Sequence, residues 1–136
     1  MILVDSNVLI DIIADDPAWA DWSLEQVVAA SQTQDIAYND VVVAEIAPGM
    51  ASLQAFQQEM ERITVGYEVF TQQAAYFAGL AFRQYRAVRK GSDTPKLPLP
   101  DFLIGGHAQS LGAAILTRDA RFYRSYFPTV PLITPE

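Results

Sequence analysis

Ile2-Leu3-Val4-Asp5-Ser6-Asn7 joins three apolar residues to an acid and two residues that cap helices well. An unbroken run of β-favouring side chains suits a short strand covered on both faces, since a strand with one wet face would alternate. The strand ends at Asp5, and Ser6 or Asn7 is placed to cap a helix through Leu9, Ile10 and Ile13. A buried strand passing straight into a helix is the unit of a parallel α/β arrangement, so the same unit is expected downstream.

It recurs. Ile36-Ala37-Tyr38 is a second short apolar run, and Asn39 or Asp40 caps a helix over 41–46 that stops near Pro48-Gly49. Between the two, Pro17 and its neighbours start a helix carrying Trp19, Trp22, Val27 and Val28. Leu53, Phe56, Met60 and Ile63 recur at helical spacing and predict a helix over 51–63, followed by an extended segment over 64–70. A longer helical pattern runs from Thr71 through Ala78, Leu80, Phe82 and Tyr85 to Arg89. Gly91 and three prolines make 90–100 a loop. A helix over 100–111, a strand over 114–117, a helical turn and a last strand at Leu132-Ile133 complete the pattern. Strands separated by helices predict a short, mostly parallel central sheet with right-handed crossovers and helices on both faces.

A chain of 136 residues, half of them apolar, is the size of one domain, and 1–136 is read as a single unit. The apolar opening is broken by Asp5 after four residues, too soon for a signal peptide or a membrane span, so a cytoplasmic protein is expected. The absence of cysteine excludes disulfides, thiolate nucleophiles and cysteine-based metal centres. Net charge is −7, which by itself argues against a nucleic-acid binder, but the charge is unevenly spread. Residues 1–70 carry −11 and residues 71–136 carry +4, with Arg83, Arg86, Arg89, Lys90 and Lys96 in one group and Arg118, Arg121 and Arg124 in another. A polyanion has a place to bind.

Sites in parallel sheets form at the carboxyl ends of the strands. Asp5 follows one strand directly and Asp119 follows another after Thr117-Arg118, which puts both on one sheet edge. Asp101 lies in the first turn of a helix marked by Pro100, where the helix dipole favours an anion. Glu45 interrupts an apolar helix. Four acids brought together repel one another, and burial without a cation would raise their pKa values at a cost of several kcal/mol. Oxygen donors without sulfur suit Mg²⁺ or Mn²⁺, and such an ion held by carboxylates serves phosphodiester hydrolysis.

These blocks carry a family likeness. Residues Ile2-Leu3-Val4-Asp5-Ser6-Asn7-Val8-Leu9-Ile10-Asp11, Glu45, Pro100-Asp101-Phe102-Leu103-Ile104-Gly105-Gly106-His107-Ala108 and Leu116-Thr117-Arg118-Asp119 occur in the order and spacing of the PIN-domain ribonucleases. Within that family the chain resembles the VapC toxins of type II toxin–antitoxin systems, and the likeness extends through Phe122-Tyr123-Arg124-Ser125-Tyr126-Phe127-Pro128 and Leu132-Ile133-Thr134-Pro135. The resemblance implies a three-layer α/β/α PIN-like domain. It also implies an endoribonuclease dependent on Mg²⁺ or Mn²⁺ that cuts RNA (tRNA, rRNA or mRNA), with Asp5, Glu45, Asp101 and Asp119 as metal-binding catalytic acids and Ser6 and Thr117 as supporting hydroxyls. The partners it implies are the RNA substrate, a VapB-like antitoxin that covers the site, and a second copy of the chain in a homodimer.

Taken singly, each acid also reads as a cap or a surface charge; the joint pattern argues otherwise. His107, the only histidine, is turned about 240° from Asp101 on a helix and reads as structural. Arg118 and Arg121, which flank Asp119, are the better candidates for RNA contact, with ion pairing to the surplus acids as the alternative. Trp19, Trp22, Phe77 and Tyr85 read as mostly core. Asp11 reads as a surface acid within reach of the site rim. Gly105-Gly106 inside a helix costs about 1 kcal/mol per glycine unless a tight helix crossing requires it. Two other functions are compatible with such a chain: a catalytically silent PIN-like interaction module, which would lack an acid, and another acid-cluster phosphohydrolase. The latter would want a second acid two residues after Asp5 and a catalytic lysine; the chain has Asn7, and no lysine before Lys90.

Overall fold

The computed structural model describes residues 1–89 and 99–135. Five parallel strands, β1 (Ile2–Val4), β2 (Ile36–Tyr38), β3 (Gly66–Tyr67), β4 (Ala114–Leu116) and β5 (Leu132–Ile133), lie in the order β3-β2-β1-β4-β5. Seven helices accompany them among the described residues: α1 (Ser6–Ile13), α2 (Ala20–Ser31), α3 (Asp40–Ile46), α4 (Leu53–Arg62), α5 (Gln72–Arg89), α6 (Leu99–Leu111) and α7 (Ala120–Tyr126). They cover the sheet on both sides, giving the three-layer α/β architecture expected from the sequence. Helix α6 lies on β1 and β4 with α5 and α7 against it, while α2 lies on β2 and packs on α1.

Ile2, Leu3 and Val4 are buried, as an unbroken apolar strand in the middle of a sheet requires. Three expectations are adjusted. The cap of α1 is Asp5, whose carboxylate accepts Ser6 N–H; Ser6 and Asn7 are already helical. Trp19 precedes α2, because Asp16 turns the chain by accepting Ala18 and Trp19 N–H. Pairing in the 64–70 segment is limited to Gly66 and Tyr67. The loop expected over 90–100 lies largely outside the described residues, as do Lys90 and Lys96, and Leu99 and Pro100 already belong to α6.

The glycine pair explains how α6 reaches the sheet. A Cβ on Gly106 would stand 2.5 Å from Ala74 O and Ala78 N of α5, and one on Gly105 would stand 2.3 Å from the Phe127 ring. Both positions require hydrogen in place of a side chain, and the close α5–α6 crossing anticipated from the sequence is found. Tyr85 is buried in this layer, where its ring meets Phe102 and Tyr126, whereas Trp19, Trp22 and Phe77 are only partly covered. No helix among the described residues is long and apolar enough to cross a membrane.

Candidate active site

The site forms where β1 and β4 end side by side. Asp5 N–H donates to Leu116 O at 2.9 Å, which carries the parallel pairing to the strand ends and fixes the Asp5 backbone there. The Asp5 side chain is 3 % exposed and receives three donors: Ser6 N–H at 2.8 Å on Oδ1, and Thr117 Oγ1 at 2.8 Å and the Tyr123 hydroxyl at 3.0 Å on Oδ2. Burial raises its pKa; these three bonds pull the other way, and the charge of Asp119 adds to the rise.

Thr117 also accepts Asp119 N–H at 2.9 Å, so one hydroxyl ties the first and last acids together. Asp119 occupies the N-cap position of α7, yet its side chain makes no capping bond and is exposed. The ordinary explanation for an acid at that position, a cap, is not realised. Glu45 faces Asp5 from α3: Ser6 Oγ, one residue past Asp5, donates to Glu45 Oε1 at 2.9 Å. Burial, and after it the charge of Asp5, raise the Glu45 pKa, with the Ser6 bond opposing them.

Asp101, in the first turn of α6, reports the convergence of all four. Burial and the charges of Asp5, Glu45 and Asp119 push its carboxyl up to about 7. Among the described residues no three of these groups are drawn into a closed ligand set. The donor chemistry fits a hard divalent cation nonetheless: buried Asp5, half-buried Glu45 and Asp101 and exposed Asp119 are all oxygen donors, and their like charges oppose one another.

This has a measurable consequence for the cation-free protein. The folded pKa of Asp101 lies above its ordinary value of 3.8, so protonation favours the fold. That contribution is complete below about pH 4 and is lost as pH rises through about 7. With screening at a half-exposed carboxyl allowed for, it amounts to roughly 1 to 2 kcal/mol. Thermal unfolding in a chelator is therefore expected to show Tm falling by several degrees between about pH 5 and about pH 8, and Asp101→Asn to flatten that fall. An unchanged slope in the variant would contradict the assignment.

The profile of the PIN domain matches residues 2–128. The chain belongs to the PIN domain family. Solved structures of the same fold include VapBC2 from Rickettsia felis bound to a promoter DNA fragment, 18 % identical over all of both chains with a TM-score of 0.71. A toxin–antitoxin complex from Klebsiella pneumoniae is 23 % identical over 100 % of this chain and 98 % of that one, with a TM-score of 0.66. DNA-bound VapBC from Salmonella typhimurium is 23 % identical over 98 % and 96 %, with a TM-score of 0.64. No protein of curated function matches the chain significantly.

In this PIN domain Arg118 is held by its own chain. Its guanidinium makes two bonds to Asp11, at 2.7 and 2.9 Å, and lies 4.9 Å from the centre of the Trp19 ring. Asp11 is 3 % exposed and also accepts from Ser23 Oγ, so it is a buried ion-pair partner and not a surface acid. Arg121 is exposed. His107 is fully buried. Asn39 Oδ1 accepts Val42 N–H, which turns its Nδ2 toward His107 Nδ1 at 3.1 Å and leaves the ring proton on Nε2. Burial lowers the His107 pKa, with the charges of Glu68 and Asp40 and the Val69 backbone opposing. The ring is a neutral strut between α6 and the cap of α3, the structural role read from its helical angle.

Two contributors of the PIN domain site were not singled out by sequence. Asn7 reaches across to β4, accepting Arg118 N–H at 3.3 Å while its Nδ2 lies 3.4 Å from Thr117 Oγ1. Tyr123 is fully buried and spends its hydroxyl on Asp5. Its position four residues past Asp119, one turn into a helix, was the available signal.

Proposed function

We propose that this PIN domain, one unit spanning 1–136, is an endoribonuclease dependent on Mg²⁺ or Mn²⁺ and the toxin of a type II toxin–antitoxin pair in the cytoplasm. Asp5, Glu45, Asp101 and Asp119 would hold the ion. The observation that carries this reading is the convergence of four carboxylates from four elements: Asp101, raised to about 7 first by its burial, also feels the charges of Asp5, Glu45 and Asp119. When bound, a divalent ion neutralises that cluster, attracts a phosphodiester and supplies an activated water.

The remaining work falls to the chain. Thr117, Tyr123 and Ser6 hold the Asp5 carboxylate in a fixed orientation, and Ser6 holds Glu45 beside it. Preorganisation of this kind removes the cost of reorienting charged groups during reaction. Burial and the neighbouring acids raise the Asp101 carboxyl to about 7, and a cation held there would favour its charged form. Asp119 and Arg121 are both exposed, and Arg121, two residues past Asp119, would be available to meet a phosphate of the RNA. Asn7, where a phosphohydrolase of the other type would carry an acid, is engaged with the Arg118 backbone, which favours the nuclease. The decisive assay is cleavage of single-stranded RNA by the purified chain with Mn²⁺; cleavage that continues in EDTA would sink the mechanism.

The toxin reading draws on the toxin–antitoxin complexes that share this fold. It is supported by two apolar hollows on either side of Met50, one of about 310 Å³ bordered by Val43, Leu53 and Phe56, the other of about 270 Å³ bordered by Ile10, Ile13 and Ile46. Each is bordered by one residue of α3, the helix that carries Glu45: Val43 in the first and Ile46 in the second. Leu53 is 61 % exposed at the hollow and makes an informative probe. Leu53→Glu is expected to weaken binding of the cognate antitoxin by about ten- to a hundredfold without lowering RNA cleavage by the free chain. Equal affinity for the two proteins, measured by calorimetry, would move the antitoxin elsewhere. A homodimer is the further expectation, to be read by sedimentation; Tyr76 and Val88 are the most exposed large apolar residues of α5.

A further inference from the structure

Asp5 is set apart from the other acids by how fully it is engaged. A carboxylate oxygen offers two acceptor positions. On Oδ2 both are taken, one by Thr117 Oγ1 at 2.8 Å and one by the Tyr123 hydroxyl at 3.0 Å. On Oδ1 one is taken by Ser6 N–H at 2.8 Å; Ser6 Oγ stands 3.5 Å away and donates at 2.9 Å to Glu45 instead. One acceptor position on Oδ1 is left.

We propose that Tyr123 is a positioning residue for metal choice: its hydroxyl closes Oδ2, so that Asp5 meets a cation through Oδ1 alone. The proposal rests on the metal-site reading above and adds to it which ion the site prefers. Mg²⁺ keeps about six ligands in strict octahedral order, with carboxylates usually giving one oxygen each, whereas Ca²⁺ takes about six to eight and accepts both oxygens of a carboxylate. A carboxylate restricted to one oxygen therefore favours the smaller ion. Thr117 cannot impose this alone, since it closes one position of Oδ2 and leaves the other open. Tyr123 is well suited to the second: it is fully buried, and its ring is fixed between Phe122 and Phe127, so the hydroxyl cannot swing away.

The test is calorimetric titration of Mg²⁺ and of Ca²⁺ into the full chain freed of any partner, wild type against Tyr123→Phe. The wild type is expected to bind Mg²⁺ in preference to Ca²⁺, and removal of the hydroxyl to narrow that preference by about tenfold, the usual effect of losing a group that orients a ligand. Thr117→Val, which reopens the other position on the same oxygen, is expected to narrow it likewise and serves if the tyrosine variant fails to fold. A variant with lower Tm and an unchanged Mg²⁺ to Ca²⁺ ratio would overturn the proposal and leave Tyr123 as packing only. A wild-type chain that binds neither ion, nor Mn²⁺, would overturn the underlying metal site with it.

Discussion

Asp5→Asn is expected to lower RNA cleavage at least about a hundredfold, the loss of several kcal/mol of charge stabilisation, while the protein stays folded. Shape is conserved by the substitution. The oxygen of the introduced amide can still accept Ser6 N–H, and the Thr117 and Tyr123 hydroxyls can rotate to meet its nitrogen. What is removed is a buried negative charge whose pKa burial already raises. Stability without a cation should therefore rise by about 1 kcal/mol, as is common when a functional site is relieved of strain. Loss of cleavage together with a higher Tm is the signature of an acid kept for function. Loss of both would make Asp5 a structural cap, and full activity in the variant would dismiss it from the site. In a host expressing the chain, the same substitution should relieve growth arrest if the toxin reading is right.

Gly106→Ala is expected to be the most damaging single methyl in the protein. The added carbon would lie 2.5 Å from Ala74 O and Ala78 N and 2.8 Å from Ala78 Cα. All three are backbone atoms, so no rotamer change relieves the clash and α5 and α6 must separate. Overpacking of this severity costs about 3 kcal/mol or more, a fall in Tm of about 10 °C for a domain of this size. Since α6 also carries Asp101, cleavage should fall with stability. Gly79→Ala, in the same layer, should do the reverse: it is exposed within α5 with nothing within 4 Å of its Cβ position, and alanine there should add about 1 kcal/mol. Equal Tm values for the two variants would show that the helix crossing is looser than described.

How far the sequence could be read depended on the range of the interaction. The strands were legible because Ile2-Leu3-Val4 and Ile36-Ala37-Tyr38 admit little except a covered sheet. Asn39 was legible as a cap because its partner, Val42 N–H, lies three residues away. Asp5, read as a site acid with a cap as its alternative, does cap α1, since a helix can begin on the residue that closes a strand. The fate of Arg118 was open between RNA and an acid, and its acid lies 107 residues away at Asp11. The partner of Tyr123 was hidden for the same reason: its hydroxyl needs one, and nothing local says that it is Asp5. Leu53 falls on an apolar helical stripe and is nevertheless exposed, because spacing tells which residues share a face without telling what covers it.

The central place of β1, between β2 and β4, also sets a schedule for synthesis. Asp5 and Glu45 leave the ribosome early, and β1 can pair with β2 at once, but β4, Thr117 and Tyr123 follow much later. At roughly 5 to 20 residues per second the interval between Glu45 and Thr117 is on the order of ten seconds. During it Asp5 has its own helix cap and neither hydroxyl on Oδ2. A nascent chain therefore holds Asp5 and Glu45, joined by Asp101 only near the end, while Asp5 is still unsecured, and a translation product cut short before Thr117 never gains either hydroxyl.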